Sequence, residues 1–155
     1  MKEKQGSSET KTIIDNLTQA FFSLFSSKDG VKPNLEDIYQ LFIGKGMIIK
    51  NTGVVPEIYT LAEFIEPRIK LLSDGTLVDF KEEEVAGRTE IFGNIAQRFS
   101  SYVKSGVLSG QPFVTRGMKT IQFINTPAGW KISSLAWDDE REGLTLPEQF
   151  DTSYQ

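Results

Sequence analysis

Apolar positions between Thr12 and Phe25 repeat every three or four residues. This spacing places them on one face of a helix, because an α-helix completes a turn in about 3.6 residues. Pro33-Asn34 opens a second, shorter pattern of the same kind, and the stretch from Thr60 to Glu63 matches the capping box that starts a third helix. Pro67 falls inside the third pattern and predicts either a kink or a break. We therefore predict three helices in the first half of the chain.

The stretch richest in strand-forming residues runs from Gly117 to Glu140. Its two segments, 118–124 and 130–137, are dense in β-branched and aromatic residues, and Asn125 to Gly129 supplies the turn between them. Both segments carry apolar residues on both faces, and a strand of that kind is covered on both sides. The pattern predicts a hairpin with helices against one face and a partner subunit against the other.

Weaker strand patterns precede this hairpin. They predict strands at residues 47–50, 77–90 and 91–103, with a loop at 104–116. Helices followed mainly by antiparallel strands predict an α+β fold, in which a cone-shaped, curved antiparallel sheet wraps around three N-terminal helices. Such a sheet leaves a cavity between its concave face and the helices, and cavities of this kind commonly hold small molecules.

The amino-acid composition restricts the possible chemistry of this protein more than it restricts the possible folds. The 155 residues suffice for one domain, expected at 12–150 between a flexible tail at 1–11 and a C-terminal tail at 151–155. The chain has no cysteine and no histidine, which excludes thiolate and histidine catalysis and the usual transition-metal sites. A net charge of −4 without a basic run argues against nucleic acid and anionic membranes as partners. Without an apolar leader or span, we expect a cytoplasmic protein with neither metal nor cofactor.

Several motifs carry a resemblance to a known fold family. They are Phe80-x-Glu82-x-Glu84, the run from Phe92 to Tyr102, Gly129-Trp130-x-Ile132-x-Ser134-x-x-Trp137, and Leu146-Pro147. With the order of elements, they resemble the nuclear transport factor 2-like superfamily, also called the ketosteroid isomerase or polyketide-cyclase-like fold, and a bacterial branch of small stand-alone members. The resemblance implies a dimer formed through the outer face of the sheet. It implies no single activity, because the fold hosts isomerases, dehydratases, cyclases and transport adaptors.

The catalytic patterns of these relatives are not matched residue by residue. Steroid-isomerase-like enzymes use an Asp base with a Tyr and a protonated Asp in the oxyanion hole. The corresponding positions fall near Asn51, near Phe21 or Phe22, and near Thr120. Asn takes up no proton and Phe donates no hydrogen bond. Dehydratases and cyclases of the fold rely on a His, and the narrower branch often carries one where this chain has Gln97.

Candidate pocket residues follow from the register assumed for the hairpin. It turns Ser133, Leu135 and Trp137 toward the cavity, makes Thr120 and Gln122 the inward polar groups of the partner strand, and directs Ile121, Phe123, Ile132 and Ala136 toward a second subunit. Gln97 lies amid apolar residues and needs a hydrogen-bond partner if it is buried. With two tyrosines, the predicted ligand-binding set is Tyr39, Tyr59, Gln97, Thr120, Gln122, Leu135 and Trp137.

Three functions are open from the sequence. The first is a dimeric protein that binds a small hydrophobic or amphipathic molecule without a cofactor. The second is a cofactor-free isomerase, dehydratase or cyclase, for which Asp138 is a weak candidate base, since the end of a strand is more often simply solvated. The third is a protein-interaction module, which predicts a closed cavity and an exposed apolar patch.

Overall fold

A six-stranded sheet is the frame of this protein, which a computed structural model describes over residues 2–151. The strands are β1 Phe42–Lys50, β2 Glu57–Thr60, β3 Leu77–Phe92, β4 Ile95–Leu108, β5 Gln111–Thr126 and β6 Gly129–Asp139. They lie in the order β2-β1-β6-β5-β4-β3. The α+β class is confirmed. The sheet is mixed rather than wholly antiparallel, because β1 and β6 pair in parallel.

Within residues 2–151, three α-helices accompany the sheet. They are α1 Lys2–Ser23, α2 Ile38–Leu41 and α3 Leu61–Ser73. The helix α1 begins at Lys2 rather than at Thr12, so the stretch predicted as a flexible tail continues the helix. The predicted capping box of α3 is confirmed, because the Thr60 hydroxyl accepts from the Glu63 amide and the Glu63 carboxylate accepts from the Thr60 amide. Pro67 lies inside α3 without ending it.

The long strands β3, β4 and β5 are joined by tight turns. Ser109 and Gly110 both have positive φ angles, which suits the two-residue turn of a hairpin. This turn replaces the predicted loop at 104–116, where β4 and β5 pair instead. Gly93 and Asn94 form the turn between β3 and β4, so the strand predicted from Ile91 begins at Ile95. The sheet is thereby larger than its sequence pattern indicated.

The facing of β5 is the reverse of the prediction. Ile121 and Phe123 are buried in the core against the helices, whereas Thr120 and Gln122 are exposed on the outer face. Ile132 of β6 is also in the core and not on a surface for a second subunit. The cause is a bulge at Ser133, which lets Ile132 and Leu135 both face inward. Ala136 does face outward, opposite Thr120.

The C-terminal segment folds onto the outer face of the sheet. A 3₁₀ turn at Glu148–Phe150 places the Phe150 ring 6.0 Å from the Phe99 ring, and the Ser101 hydroxyl donates to the Phe150 carbonyl. Asp151 forms an ion pair with Arg116 at 2.8 Å. Of the predicted tail at 151–155, the residues after Asp151 lie outside the described part of the chain.

Candidate functional site

A cavity of about 320 Å³ lies between the helices α1 and α3 and the inner face of the sheet. Volumes of this size suit a small organic molecule. The apolar lining is Phe21, Phe25, Phe64, Pro67, Leu71, Leu72, Leu77, Phe80, Leu108, Phe113 and Trp137. The charged lining is Arg68, Glu82, Lys104 and Lys119. The site is therefore an aromatic-rich chamber with a small number of charged groups.

Edge-to-face ring contacts hold the aromatic wall in place. The Phe64 ring lies 5.7 Å from that of Phe25 and 5.8 Å from that of Trp137, and both pairs are nearly perpendicular. Such contacts stabilise one orientation of each ring beyond the gain from burial. Because α3 carries Phe64 and β6 carries Trp137, the contact also ties the helix to the sheet.

The indole N–H of Trp137 is a buried donor without an acceptor among the described residues. The residue is 7% exposed, so water does not readily replace the missing partner. Leaving a buried donor unsatisfied costs about 1–3 kcal/mol. A donor of this kind in the wall of a cavity favours a ligand that carries a hydrogen-bond acceptor.

Lys119 and Glu82 form a buried ion pair in the same wall. Their Nζ and Oε2 atoms are 2.9 Å apart, and the side chains are only 4% and 6% exposed. Within the described residues Glu82 Oε2 has no hydrogen-bond partner, so the contact is an ion pair. Burial lowers the pKa of Lys119, and the attraction of Glu82 opposes this change. The register explains the placement, since Lys119 pairs with Trp137 across the strands and shares its face.

Tyr102 packs beside Lys119, whose Nζ lies 4.1 Å from the centre of the Tyr102 ring. Its hydroxyl donates to the Asp139 carboxylate at 2.5 Å, and the Asp138 carbonyl oxygen lies 3.1 Å from the same hydroxyl. Burial and then the hydrogen bond to Asp139 raise the pKa of Tyr102, so the phenol stays neutral. Gly117 makes this packing possible, because a Cβ there would overlap with the Tyr102 hydroxyl. Lys104 approaches the same carboxylate of Asp139 at 3.3 Å.

Arg68 supplies a cation from the helical side of the chamber. Its guanidinium lies 3.7 Å from the centre of the Phe64 ring, and Nη1 donates to the Phe64 carbonyl at 2.9 Å. Among the described residues, no carboxylate forms an ion pair with it. Burial lowers the pKa of Arg68, while the nearby Tyr59 and Glu57 oppose that shift. The guanidinium therefore retains donors for a ligand.

Comparison with known proteins identifies the architecture. No family model matches the sequence, and no curated protein matches it either. Among solved structures, a nuclear transport factor 2-like superfamily protein from Salmonella enterica serovar Typhimurium superposes with a TM-score of 0.69 at 18% identity, over 84% of this chain and 91% of that one. The chain has the nuclear transport factor 2-like fold.

Two further structures show the breadth of this likeness. A nuclear transport factor 2-like protein with a cystatin-like fold from Novosphingobium aromaticivorans has a TM-score of 0.67 at 18% identity, covering 88% of this chain and 85% of that one. A putative Ca/calmodulin-dependent kinase II association domain from Exiguobacterium sibiricum has a TM-score of 0.64 at 11% identity, covering 88% and 94%. At these identities the likeness concerns the fold alone. Within residues 2–151, no helix is long and apolar enough to cross a membrane.

The nuclear transport factor 2-like fold separates the predicted ligand-binding residues into four groups. Trp137 lines the inner chamber, and Tyr59 stands beside it with its ring 5.7 Å from that of Phe64. Leu135 is part of the core. Tyr39 is half exposed on α2 and is not among the lining residues.

The remaining predicted residues lie on the opposite face of the sheet. Gln97, Thr120 and Gln122 meet there in a shallow depression of about 450 Å³. Gln97 is exposed on this outer face rather than in the inner chamber, and it donates to the Glu90 carboxylate at 2.9 Å. Asp138, the candidate base, pairs with the exposed Arg141 at 2.6 Å and is not among the residues that line the chamber.

The charged groups of the chamber are the residues that sequence reasoning missed. Glu82 stands in a run of charged residues, 81–84, a pattern typical of a solvated strand face, yet it is buried while Lys81 and Glu83 are exposed. The sequence did contain a signal that Lys119 is buried. Lys119, Ile121 and Phe123 are spaced two residues apart, so they lie on the same face of the strand. A lysine on an apolar face of a central strand is unusual, since Lys is seldom fully buried without a partner.

Proposed function

We propose that this nuclear transport factor 2-like protein binds a small amphipathic molecule in the inner chamber. The apolar part of the ligand lies against Phe25, Phe64 and Phe113, and an acceptor group of the ligand receives the Trp137 N–H. The unsatisfied indole donor in an aromatic cavity is the observation that carries this proposal. Ligand pockets generally combine such apolar walls with a few placed polar groups.

The charges of the chamber favour an acceptor that is anionic or strongly polarised. Three cationic side chains and one carboxylate line it. Lys119 is paired with Glu82 and Lys104 with Asp139, which leaves Arg68 as the cation with spare donors. Hydrogen bonds between a guanidinium and a carboxylate are stronger than neutral ones. A carboxylate or a carbonyl group on an apolar body therefore fits the lining best.

Fluorescence titration with 4-phenylbutanoate tests this function. In a Trp130→Phe background Trp137 is the remaining tryptophan, and we expect a saturable change in its emission. Arg68→Met is expected to weaken binding about tenfold or more, since a charge-assisted hydrogen bond contributes about 1.5–3 kcal/mol. Arg88→Met, on the exposed face of β3, is the matched control and is expected to leave affinity unchanged. Unsaturable emission, or equal affinity in both variants, would contradict the proposal.

We also infer that a second copy of the chain covers the outer face of the sheet. Phe92, Ile95 and Phe99 are exposed there beside the depression that holds Gln97 and Gln122. Phe92 is 83% exposed and Ile95 is 51% exposed, which is unusual for a neighbouring pair of large apolar residues. The two glutamines are cross-strand partners, and each carries a donor and an acceptor. The side-chain amides of one chain can therefore form hydrogen bonds with the same amides of a second chain across a two-fold axis, as a homodimer requires.

Light scattering after size exclusion tests the dimer. We expect the wild-type protein to have twice the 17.4 kDa mass of one chain. Ile95→Glu is expected to shift it to a single chain, because a charge would be buried unpaired at the interface. The control is Val54→Glu, at a fully exposed position between β1 and β2. A wild-type protein that is monomeric at every concentration, or an Ile95→Glu variant that stays dimeric, would refute this interface.

The other functions considered from the sequence have less support. The candidate base Asp138 is not among the residues that line the chamber, and its carboxylate pairs with Arg141, so the chamber gives no support to a catalytic role for it. A protein-interaction module predicts a closed cavity, whereas this chamber has a volume of about 320 Å³. We keep the predicted cytoplasmic location as part of the proposal.

A further inference from the structure

Lys119 presents a primary amine to the wall of an apolar cavity. Its side chain is 4% exposed, and its Nζ lies 4.1 Å from the centre of the Tyr102 ring and 5.0 Å from that of Trp137. A carboxylate oxygen of Glu82 is 2.9 Å away. An amine, a proton acceptor and an unsatisfied N–H donor thus belong to the same wall of the chamber.

Building on the proposed ligand-binding function, we propose that the chamber takes an aldehyde or ketone with an apolar body and that Lys119 forms a reversible imine with it. Each group around the amine has a place in this step. Glu82 takes a proton from the ammonium, and the neutral nitrogen attacks the carbonyl carbon. The Trp137 N–H polarises the carbonyl oxygen, as a donor does for an oxygen that gains negative charge.

The step balances without a further reactant. The amine nitrogen bonds to the carbonyl carbon as the carbon–oxygen double bond opens, and a proton passes from nitrogen to oxygen to give a carbinolamine. The carbinolamine hydroxyl then takes up a proton from Glu82, the carbon–oxygen bond breaks and water leaves, while the nitrogen lone pair forms the carbon–nitrogen double bond. The net change is one ammonium and one carbonyl group converted into one protonated imine and one water molecule, with Glu82 again a carboxylate. No oxidant or reductant is consumed.

The surroundings of Lys119 also favour the nucleophilic form of the amine. Burial lowers the pKa of Lys119 from its ordinary value of 10.5, and the positive charge of Lys104 acts in the same direction, whereas Glu82 and Asp139 act against it. The titratable and charged groups facing this amine are Glu82, Tyr102, Lys104, Asp139 and, from α3, Arg68. A lysine desolvated in an apolar pocket beside another cation is an established way to activate an amine.

Reductive trapping tests the imine on the full-length wild-type chain. The protein is incubated at neutral pH with 3-phenylpropanal and sodium cyanoborohydride, which converts an imine into a stable secondary amine. Peptide mass mapping should place the adduct on Lys119 in preference to the exposed Lys45, because burial lowers the pKa of Lys119 and so increases its neutral fraction at neutral pH. The preference should shrink as the pH rises toward 10.5, where exposed lysines also lose their proton. An adduct spread evenly over the lysines would overturn the proposal.

Two controls separate this inference from the proposed function. Lys119→Arg keeps the positive charge without an amine that forms an imine, and we expect it to lose the adduct. If that variant does not fold, a competition experiment with the wild-type protein replaces it. Excess 3-phenylpropan-1-ol, which has no carbonyl group, should lower the amount of adduct on Lys119 and leave the amount on Lys45 unchanged.

The outcomes distinguish the two proposals. If 3-phenylpropanal and 3-phenylpropan-1-ol both change the Trp137 emission but Lys119 is not modified, the imine is refuted and ligand binding stands. If neither compound binds, both proposals fail.

Discussion

Lys119→Met is expected to lower the free energy of unfolding by about 3–5 kcal/mol, because removing one partner of a buried ion pair leaves an uncompensated charge. The charge left behind is Glu82, whose side chain is 6% exposed. No other ion pair to Glu82 is present among the described residues. The substitution therefore isolates a carboxylate in an aromatic cavity, where desolvation is expensive. Urea denaturation followed by circular dichroism measures the loss.

A double variant provides the control for this prediction. Lys119→Met with Glu82→Leu removes both charges, and replacing a buried pair with apolar groups is often nearly neutral. We expect the double variant to be more stable than Lys119→Met alone. Lys104→Met is the matched single change, since its partner Asp139 keeps the hydrogen bond from Tyr102. If Lys104→Met is as harmful as Lys119→Met, or if the double variant is the least stable, the pair does not have the energetics assigned to it.

Arg98→Met should be comparably harmful, with an expected loss of about 3–5 kcal/mol. Arg98 donates twice to Glu84, from Nε at 2.9 Å and from Nη2 at 2.7 Å, and its Nη1 reaches Asp15 on α1 at 2.8 Å. Ser100 donates to the same carboxylate of Glu84. The side chains of Arg98 and Glu84 are 7% and 9% exposed, so the variant leaves a buried carboxylate without its cation.

The two ion pairs of Arg98, with Glu84 and with Asp15, are expected to contribute unequally to stability. The Asp15 side chain is 36% exposed, and solvent screens an ion pair of that kind. Asp15→Asn should therefore lower the free energy of unfolding by less than about 1 kcal/mol. Arg88→Met is the control for loss of an arginine from the same sheet, because Arg88 is exposed on the outer face. It should change stability by less than about 0.5 kcal/mol. Equal losses for Asp15→Asn and Arg98→Met would show that the contact with α1, and not the pair with Glu84, dominates.

Local patterns predicted the parts of this protein that local forces decide. The capping box before α3 involves residues three apart, and it formed as predicted. The apolar face of α1 is buried where its spacing placed it, with Ile14, Phe21 and Phe25 in the core. The α+β class followed from the order of such elements. In each case the energetic preference depends on neighbours within a few positions along the chain.

Longer-range features needed the paired sheet. The turn at Ser109 and Gly110 stabilises a hairpin only because β4 and β5 pair along most of their length, where the sequence pattern had predicted a loop. The parallel pairing of β1 with β6 joins residues far apart in the chain, and no local spacing encodes it. Strand pairing is decided by hydrogen bonds and side chains on another strand.

In the candidate site too, some features could be predicted from the sequence and others depend on contacts between strands. The sequence alone identified Trp137 as a wall residue and excluded histidine and cysteine chemistry, because residue types need no coordinates. The facing of β5 was decided by the bulge at Ser133, since one inserted residue reverses which side chains share a face. Only the tertiary structure placed Glu82 against Lys119, because a buried charge is tolerated when another strand supplies its counter-ion. Alternation within a single strand predicts burial, but the partner that makes a buried charge stable lies elsewhere in the chain.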